Sequence, residues 1–227
     1  MAIIEPIAHI KTDFKEKFGI PRQSGKASTA KGIIIFTEKY RNDDALKGIE
    51  EYSHLWLIFD FSAAHTKDWS PTVRPPRLGG NKRVGVFATR SPFRPNSIGL
   101  SSVRLEEIKK DSKNGSVIIV SGVDLLDGTP IYDIKPYIPY SDCHIDAKGG
   151  FADKYADYKL DVVFLDDTDK LLPNETKITL IECLGDDPRP SYKDDGDRVY
   201  KMNFADYEIG FKVDNNTLFV ISVEKTK

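Results

Sequence analysis

RVGVFATRSPFRPNSIGL, the stretch from Arg83 to Leu100, places an apolar run beside arginines and prolines. Its first part, Val84–Ala88, has the pattern of a β-strand that is buried on both faces. Arg90 and Arg94 follow this strand, and the prolines around Arg94 restrict the backbone φ angles there. A rigid backbone that holds cations indicates an anion-binding site. The alternative is a stiff surface loop whose arginines are only solvated.

Short strands also occur on both sides of this stretch. Runs rich in β-branched or aromatic residues, separated by Gly, Pro, Asn or Asp, predict strands at Ile3–Ile10, Gly32–Phe36, His54–Phe61, Ser101–Ile108 and Val117–Val123. One early helix is predicted over Asp43–Ile49, with Asn42 as its N-cap. Many short strands without alternating long helices favour a mainly β fold, a closed single-sheet β-barrel, over a doubly wound sheet.

The composition changes after Lys148-Gly149-Gly150, and we expect a boundary there between residues 1–150 and residues 151–227. The second part is predicted to contain the strand Val162–Leu165, the helix Glu175–Leu184 and the strands Val199–Phe204, Tyr207–Val213 and Leu218–Val223. The helix places Ile178, Ile181 and Leu184 on one face. We therefore expect a small α+β domain that docks on the barrel.

Positive charge is concentrated in one part of a chain whose formal net charge is −2. Between residues 67 and 104 the only acid is Asp68, and the basic residues are Lys67, Arg74, Arg77, Lys82, Arg83, Arg90, Arg94 and Arg104. Acidic residues are concentrated later, over residues 153–169. Such a basic region is either a solvated surface or a surface that follows the phosphates of a nucleic acid.

The sequence shows none of the patterns of a metal centre, a disulfide framework or a membrane span. No apolar run approaches the roughly 20 residues that cross a bilayer, and the first residues lack the pattern of a secretion signal. The cysteines and histidines, none of them in metal-ligand spacing, are Cys143, Cys183, His9, His54, His65 and His144. We expect a cytoplasmic protein with reduced thiols and no metal.

Several separated motifs, in the same order along the chain, resemble the TsaA-like family. They are PRQ at Pro21–Gln23, SHLWLIF at Ser53–Phe59, VRPPRLGGN at Val73–Asn81, GVFATRSPFRPNSIGLS at Gly85–Ser101 and DGTPIYDIKPY at Asp127–Tyr137. DPRPSYK at Asp187–Lys193 resembles the DPRP motif of the TrmO-type branch. The resemblance implies a β-barrel that binds S-adenosylmethionine, and an enzyme that methylates N6 of threonylcarbamoyladenosine at tRNA position 37, 3′ of the anticodon.

The resemblance also implies which residues hold the cofactor. These are Pro21, Arg22, Gln23, Arg90, Leu100, Asp127, Gly128, Thr129 and Pro130. Ser62 and Ala63 occupy a further cofactor position, where relatives often carry a histidine followed by a polar residue. By composition alone, residues 127–130 form only a tight turn.

Methyl transfer from a sulfonium requires mainly alignment of the reacting atoms and exclusion of water, so no catalytic triad is expected. The acceptor nitrogen is a poor nucleophile because its lone pair is conjugated. A base is therefore useful, and Asp127 and Asp133 are the candidates. Tyr132, Tyr137 and Tyr140 either stack on a splayed base or pack within the barrel.

For tRNA, the candidate contacts are Arg74, Arg77, Arg94, Arg189 and Tyr192. Two prolines bracket Arg189, and a rigidly held guanidinium suits a bidentate contact to a phosphate or a carboxylate. The alternative is a proline-rich loop that only ends the helix. The resemblance further implies a homodimer. Two other functions stay open, a non-catalytic S-adenosylmethionine- or RNA-binding module and a barrel that binds a protein partner.

Overall fold

The computed structural model describes residues 3–189 and 196–226. The strands are β1 (Ala8–Thr12), β2 (Lys31–Phe36), β3 (His54–Asp60), β4 (Thr72–Val73), β5 (Val84–Gly85), β6 (Ile98–Asp111), β7 (Gly115–Ser121), β8 (Pro130–Pro136), β9 (Asp161–Phe164), β10 (Tyr200–Phe204), β11 (Tyr207–Asp214) and β12 (Thr217–Lys225). The α-helices are α1 (Pro139–Asp142) and α2 (Asn174–Gly185). Short 3-10 helices cover Glu38–Tyr40, Asp43–Leu46, Ile49–Glu51, Ser62–Ala64, Pro76–Leu78, Val86–Ala88, Gly150–Tyr155 and Thr168–Leu171.

Six antiparallel strands form a sheet that closes on itself, in the order β1-β2-β7-β6-β3-β8. Strand β8 makes the closure, because it pairs with β1 at Ile131 and with β3 at Asp133. Buried residues alternate along β1, as expected for a strand with one face toward a core. At Gly99 in β6, an added Cβ would lie 2.2 Å from the ring of Phe59, so only glycine fits at this position.

A second sheet, in the order β10-β11-β12-β9, packs against the segment between β1 and β2. The ring of Phe14 from that segment lies 5.8 Å from the ring of Phe204 in β10. In α2, Glu182 accepts hydrogen bonds from the Thr29 backbone N–H at 2.9 Å and the Thr29 hydroxyl at 2.7 Å. The segment formed by residues 13–30 therefore connects the two sheets.

Residues 61–97, which we call the arm, join β3 to β6 and contain the two-stranded sheet β4-β5. The backbone N–H of Val86 donates to the carbonyl of Pro71 at 2.9 Å, which ties the two sides of the arm together. Among the described residues, no helix has the length and apolar character needed to cross a membrane.

The mainly β class and the final meander are confirmed. The helix over Glu175–Leu184 is confirmed as α2, but its predicted apolar face is only partly right: Leu184 is buried as expected, whereas Ile178 is exposed, and the other buried apolar positions are Leu180 and Cys183. Strand β8 was not predicted, because the prolines at both of its ends are typical of loops.

Two further expectations are wrong. Val84–Ala88 is not one buried strand, because the chain turns into a 3-10 helix at Val86 and leaves Phe87 exposed. Asp43–Ile49 is not one helix, because Gly48 adopts a left-handed φ of 82° between two short 3-10 helices. The N-cap is confirmed, since the side chain of Asn42 accepts from the Asp44 N–H at 2.9 Å.

Candidate functional site

The PRQ loop, Pro21–Gln23, contacts the segment that follows α2. The backbone N–H of Arg22 donates to the Asp186 carboxylate at 3.1 Å. Nη2 of Arg22 donates to the backbone carbonyls of Asp187 at 3.3 Å and Arg189 at 2.8 Å. The loop thereby joins the DPRP motif to the closed sheet.

Asp186 also binds an arginine of the arm. Nη2 of Arg77 donates to the Asp186 carboxylate at 3.1 Å and to its backbone carbonyl at 2.8 Å. The Arg77 guanidinium lies 5.0 Å from the ring centroid of Tyr158 and 5.5 Å from that of Tyr155. Burial lowers the pKa of the Arg22 guanidinium, and the positive charge of Arg77 lowers it further. A single buried carboxylate therefore lies between two arginines.

Arg189 forms a forked ion pair with Asp187. Its Nε and Nη2 donate to the two carboxylate oxygens at 2.9 and 3.1 Å. The Tyr158 hydroxyl donates to the same carboxylate at 3.0 Å. Arg189 and Asp187 are only 11% and 9% exposed. We call Arg22, Arg77, Asp186, Asp187 and Arg189 the arginine–aspartate cluster.

The pKa of Asp187 reflects opposing effects. Burial raises the pKa. The hydrogen bonds and charge of Arg189, together with the Tyr158 hydroxyl, lower the pKa by more than burial raises it, so that it lies below its ordinary value of 3.8. A carboxylate with a depressed pKa stabilises the folded state above its unfolded pKa. That contribution is lost as the pH falls through the folded pKa.

We therefore expect Asp187→Asn to lower the free energy of unfolding by about 2 kcal/mol near neutral pH, because a charged hydrogen-bond acceptor is lost. The difference from the wild type should begin to shrink below about pH 4, where the carboxylate of the unfolded chain becomes protonated, and should continue to shrink as the pH falls toward the lower pKa of the folded state. Denaturant titrations of both proteins across this range measure the difference. A difference that stays constant down to pH 3 would exclude a depressed pKa at Asp187.

A second group of polar residues lies where the PRQ loop meets the arm and β6. Nη1 of Arg90 donates to Oε1 of Gln23 at 2.6 Å. The hydroxyl of Ser101 donates to the Asp124 carboxylate at 2.6 Å. Burial raises the pKa of Asp124, while Ser101, the Ser24 backbone N–H and the charge of Arg90 act in the opposite direction. We call Gln23, Arg90, Ser101 and Asp124 the polar group.

The predicted positions at Ser62, Ala63 and Leu100 lie on the surface. Ser62 and Ala63 are exposed in the 3-10 helix that follows β3, and the Lys17 ammonium donates to the Ala63 carbonyl. Leu100 is exposed on β6, on the opposite face of that strand from the buried Ser101. The apolar side chain of Leu100 therefore lies on the outer surface of the closed sheet.

A histidine–carboxylate pair lies close to Ser62 in the chain. Nε2 of His65 lies 2.7 Å from Oδ1 of the buried Asp60. Burial raises the pKa of Tyr132, and the charge of Asp60, which is hydrogen-bonded to this tyrosine, raises it further. The imidazole of His65 is exposed beside these two groups.

The turn at Asp127–Pro130 is tied to β1. The Asp127 carboxylate accepts from the Thr12 N–H at 2.9 Å and from the Lys15 ammonium at 3.0 Å. The Gly128 N–H donates to the Ile10 carbonyl at 2.8 Å, and Thr129 is buried. Asp127 therefore ties the turn to the end of β1 and to the beginning of the segment formed by residues 13–30.

The other candidate base and the tyrosines lie elsewhere. Asp133, on β8, forms an ion pair with Lys135 at 2.9 Å. The ring of Tyr137 packs against Trp56 at a centroid distance of 5.5 Å, whereas Tyr140 is exposed in α1. Of the two roles considered for the tyrosines, the structure shows packing for Tyr137.

The predicted tRNA contacts fall into two groups. Arg74 and Arg94 belong to the arm, where Nη1 of Arg94 donates to the carbonyls of Thr89 at 3.0 Å and Ser91 at 3.3 Å. Arg77 and Arg189 belong to the arginine–aspartate cluster. Pro190 and Tyr192 lie outside the described residues.

Side-chain contacts join the PRQ motif to the DPRP motif and to the motif at Gly85–Ser101. Two family models match the chain. The tRNA-methyltransferase O N-terminal domain matches residues 9–143, and the TrmO C-terminal domain matches residues 157–226. The chain belongs to the tRNA-methyltransferase O family.

Relatives of this family align along nearly the whole chain. The tRNA (adenine(37)-N6)-methyltransferase of Escherichia coli K12 is 39% identical, with 97% of each chain covered. A putative S-adenosylmethionine-dependent methyltransferase, RcsF, of Pseudomonas aeruginosa PAO1 is 40% identical, over 91% of this chain and 90% of the relative. A crystal structure of TrmO from P. aeruginosa superposes with a TM-score of 0.80 at 33% identity, covering 99% of this chain and 97% of that one.

The sequence did not single out Asp60, His65, Ser101, Asp124 or Asp186. Asp186 directly precedes the DPRP motif, and that position was the available signal. The other four residues could not be identified from local sequence, because they come together only when the end of β3, β6 and the residues after β7 meet in the fold.

Proposed function

We propose that this chain is an S-adenosylmethionine-dependent tRNA methyltransferase that methylates N6 of threonylcarbamoyladenosine at tRNA position 37. The observation that carries the proposal is the match to both family domains, together with relatives named tRNA (adenine(37)-N6)-methyltransferase that align over most of the chain. A non-catalytic binding module is less well supported, because these full-length relatives are methyltransferases by name.

The closed sheet is proposed to be the single-sheet barrel that binds the cofactor, with residues 1–150 as its domain and residues 151–227 as a small docked domain carrying the DPRP motif. The contacts around residues 13–30 support such docking. They join loops at one edge of the closed sheet to α2 and β10.

The polar group fits S-adenosylmethionine in its chemistry. Arg90 is oriented by Gln23 and keeps further N–H donors for a carboxylate, while the half-buried Asp124 offers an acceptor for an amino or hydroxyl group. The bound cofactor supplies an activated methyl group. Pro21, Arg22, Ser62, Ala63, Leu100 and residues 127–130 remain proposed cofactor positions through the family resemblance.

The residues of the chain must also handle the proton on the acceptor nitrogen. Asp127 and Asp133 remain proposed bases, although both carboxylates are engaged by lysines in this structure. His65 is a third candidate, since Asp60 holds one ring nitrogen and the exposed imidazole has a second one. Orientation by a buried carboxylate is the usual way in which a protein fixes the tautomer of such a histidine.

Transfer of a labelled methyl group tests the proposed function. Purified chain is incubated with S-adenosylmethionine labelled in the methyl group and with tRNA that carries threonylcarbamoyladenosine. A matched tRNA without the threonylcarbamoyl group serves as the control. Label is expected in the first tRNA only. Binding of the cofactor and of tRNA without transfer would support the non-catalytic module instead.

The proposed partner is tRNA, bound through the basic arm by a protein that we propose is a cytoplasmic homodimer. Among the described residues, no carboxylate lies within ion-pair distance of the side chains of Arg74, Arg83 or Arg94, although acids exceed bases in the whole chain. These arginines are therefore available for phosphates. Arg77 and Arg189 would have to leave Asp186 and Asp187 to reach them.

The affinity for tRNA should fall with salt even though the chain is net acidic. Each phosphate that the arm neutralises should contribute a slope of roughly −0.7 to −0.9 to log affinity plotted against log salt concentration. Filter binding between low and physiological salt measures this slope. Affinity that does not vary with salt would show that the basic region is only a solvated surface.

A further inference from the structure

Two aromatic rings stack on each other at the outside of the arm. The ring centroids of Trp69 and Phe87 are 6.1 Å apart, and their planes are inclined by 29°. Trp69 is 50% exposed and Phe87 is 74% exposed. Large aromatic side chains favour burial, and an exposed group of them commonly marks an interaction site.

The local backbone holds this pair in place. The N–H of Val86, next to Phe87, donates to the carbonyl of Pro71, and Thr72 pairs with Gly85 across β4 and β5. These contacts keep the two sides of the arm together. The two stacked rings are therefore carried by backbone segments that are hydrogen-bonded to each other.

The charge around the pair identifies the kind of partner. Asp68 is the only acid in the arm, which contains seven lysines and arginines in its sequence: Lys67, Arg74, Arg77, Lys82, Arg83, Arg90 and Arg94. Arg83 is exposed, and its Nη1 donates to the Thr72 hydroxyl at 2.9 Å, near the aromatic pair. Aromatic rings beside cations match a partner that carries phosphates and flat bases.

The bases of such a partner must be unpaired. A paired base in an RNA helix exposes no ring face, whereas a loop base can be splayed out onto an aromatic side chain. A second copy of this chain fits less well, because it would bring a second cationic arm toward the first one. The charge of the arm therefore favours single-stranded RNA.

We propose that Trp69 and Phe87 form a stacking surface for unpaired bases of the RNA loop that carries the methylation site. This inference rests on the proposed function, because position 37 lies in the anticodon loop. It adds a recognition element for the loop itself, separate from the cations that contact phosphates and from the polar group proposed for the cofactor.

Affinity measurements on Trp69→Ala and Phe87→Ala test the proposal, with Phe87→Trp as the conservative variant. Tyr52→Ala is the matched control, because Tyr52 is an exposed aromatic residue at the other end of β3 from the arm. Each alanine variant should weaken binding of tRNA about tenfold, since one stacked base is lost. Phe87→Trp should bind like the wild type, and so should Tyr52→Ala.

The salt dependence separates stacking from phosphate contact. Neither ring carries a charge, so both alanine variants should keep the wild-type slope of log affinity against log salt. Arg83→Ala should instead make the slope shallower by roughly 0.7 to 0.9 if it contacts one phosphate. Unchanged melting temperatures are expected, because both rings lie outside the core.

Wild-type affinity in both alanine variants would overturn the inference. It would also be overturned if light scattering showed that the variants change oligomeric state while they bind tRNA normally, since the pair would then be an interface between copies. If the alanine variants lose affinity for tRNA but the wild-type chain transfers no methyl group, the proposed function is contradicted and the stacking surface is still supported.

Discussion

Asp186→Ala should lower the free energy of unfolding by about 4 kcal/mol, the cost typical of removing one partner from a buried ion pair. The Asp186 carboxylate accepts from the Arg22 backbone N–H and from the Arg77 guanidinium. Without it, the mostly buried guanidinium of Arg77 loses its ion-pair partner and lies near Arg22, whose pKa is already lowered by burial and by the charge of Arg77. Denaturant-induced unfolding measures the change.

The control for this experiment is an exposed ion pair. Lys31 lies 3.1 Å from Glu175, and both side chains are largely exposed, so Lys31→Ala should cost less than about 1 kcal/mol. If both substitutions cost the same, the arginine–aspartate cluster does not hold the two parts of the chain together.

Arg90→Ala should reduce the affinity for S-adenosylmethionine by roughly 10- to 100-fold, because a hydrogen bond from a charged donor is lost. Arg90 is held by Gln23 and lies within the electrostatic influence of Asp124. Gln23→Ala should have a smaller effect of the same sign, since it removes only the residue that orients Arg90. Isothermal titration calorimetry with the full chain measures both affinities.

Arg83→Ala is the matched control, because Arg83 is an exposed arginine of the same arm that contacts Thr72 instead. Its affinity for the cofactor should equal that of the wild type. If Arg83→Ala and Arg90→Ala lower the affinity equally, the effect comes from the charge of the arm, and the polar group is not the cofactor site.

Much of the fold could be predicted, because strand periodicity is a local signal. The alternating burial of β1 and the meander at the end of the chain follow from residues a few positions apart. The prediction failed at Val84–Ala88, where the chain turns into a 3-10 helix at Val86, whose N–H donates to the distant Pro71 carbonyl, and leaves Phe87 exposed. Because Phe87 was predicted to be buried, its exposed pairing with Trp69 was not predicted.

The site could be predicted only in part, because its contacts join distant segments. Arg22 meets Asp186 across 164 positions, and Arg77 meets it across 109. The motifs identified Arg22, Arg77 and Arg189 as important, but nothing local indicated that carboxylates of the chain itself would bind them. Gln23 and Arg90 were both singled out, and the structure joins them directly.

N6-methylation of threonylcarbamoyladenosine can be measured by mass spectrometry of nucleosides from tRNA that has been incubated with the purified chain and S-adenosylmethionine. We expect threonylcarbamoyladenosine to be replaced by a product in which one methyl group has replaced one hydrogen, with fragmentation placing the methyl on N6. Unchanged threonylcarbamoyladenosine, with the protein folded and both ligands bound, would contradict the proposed function.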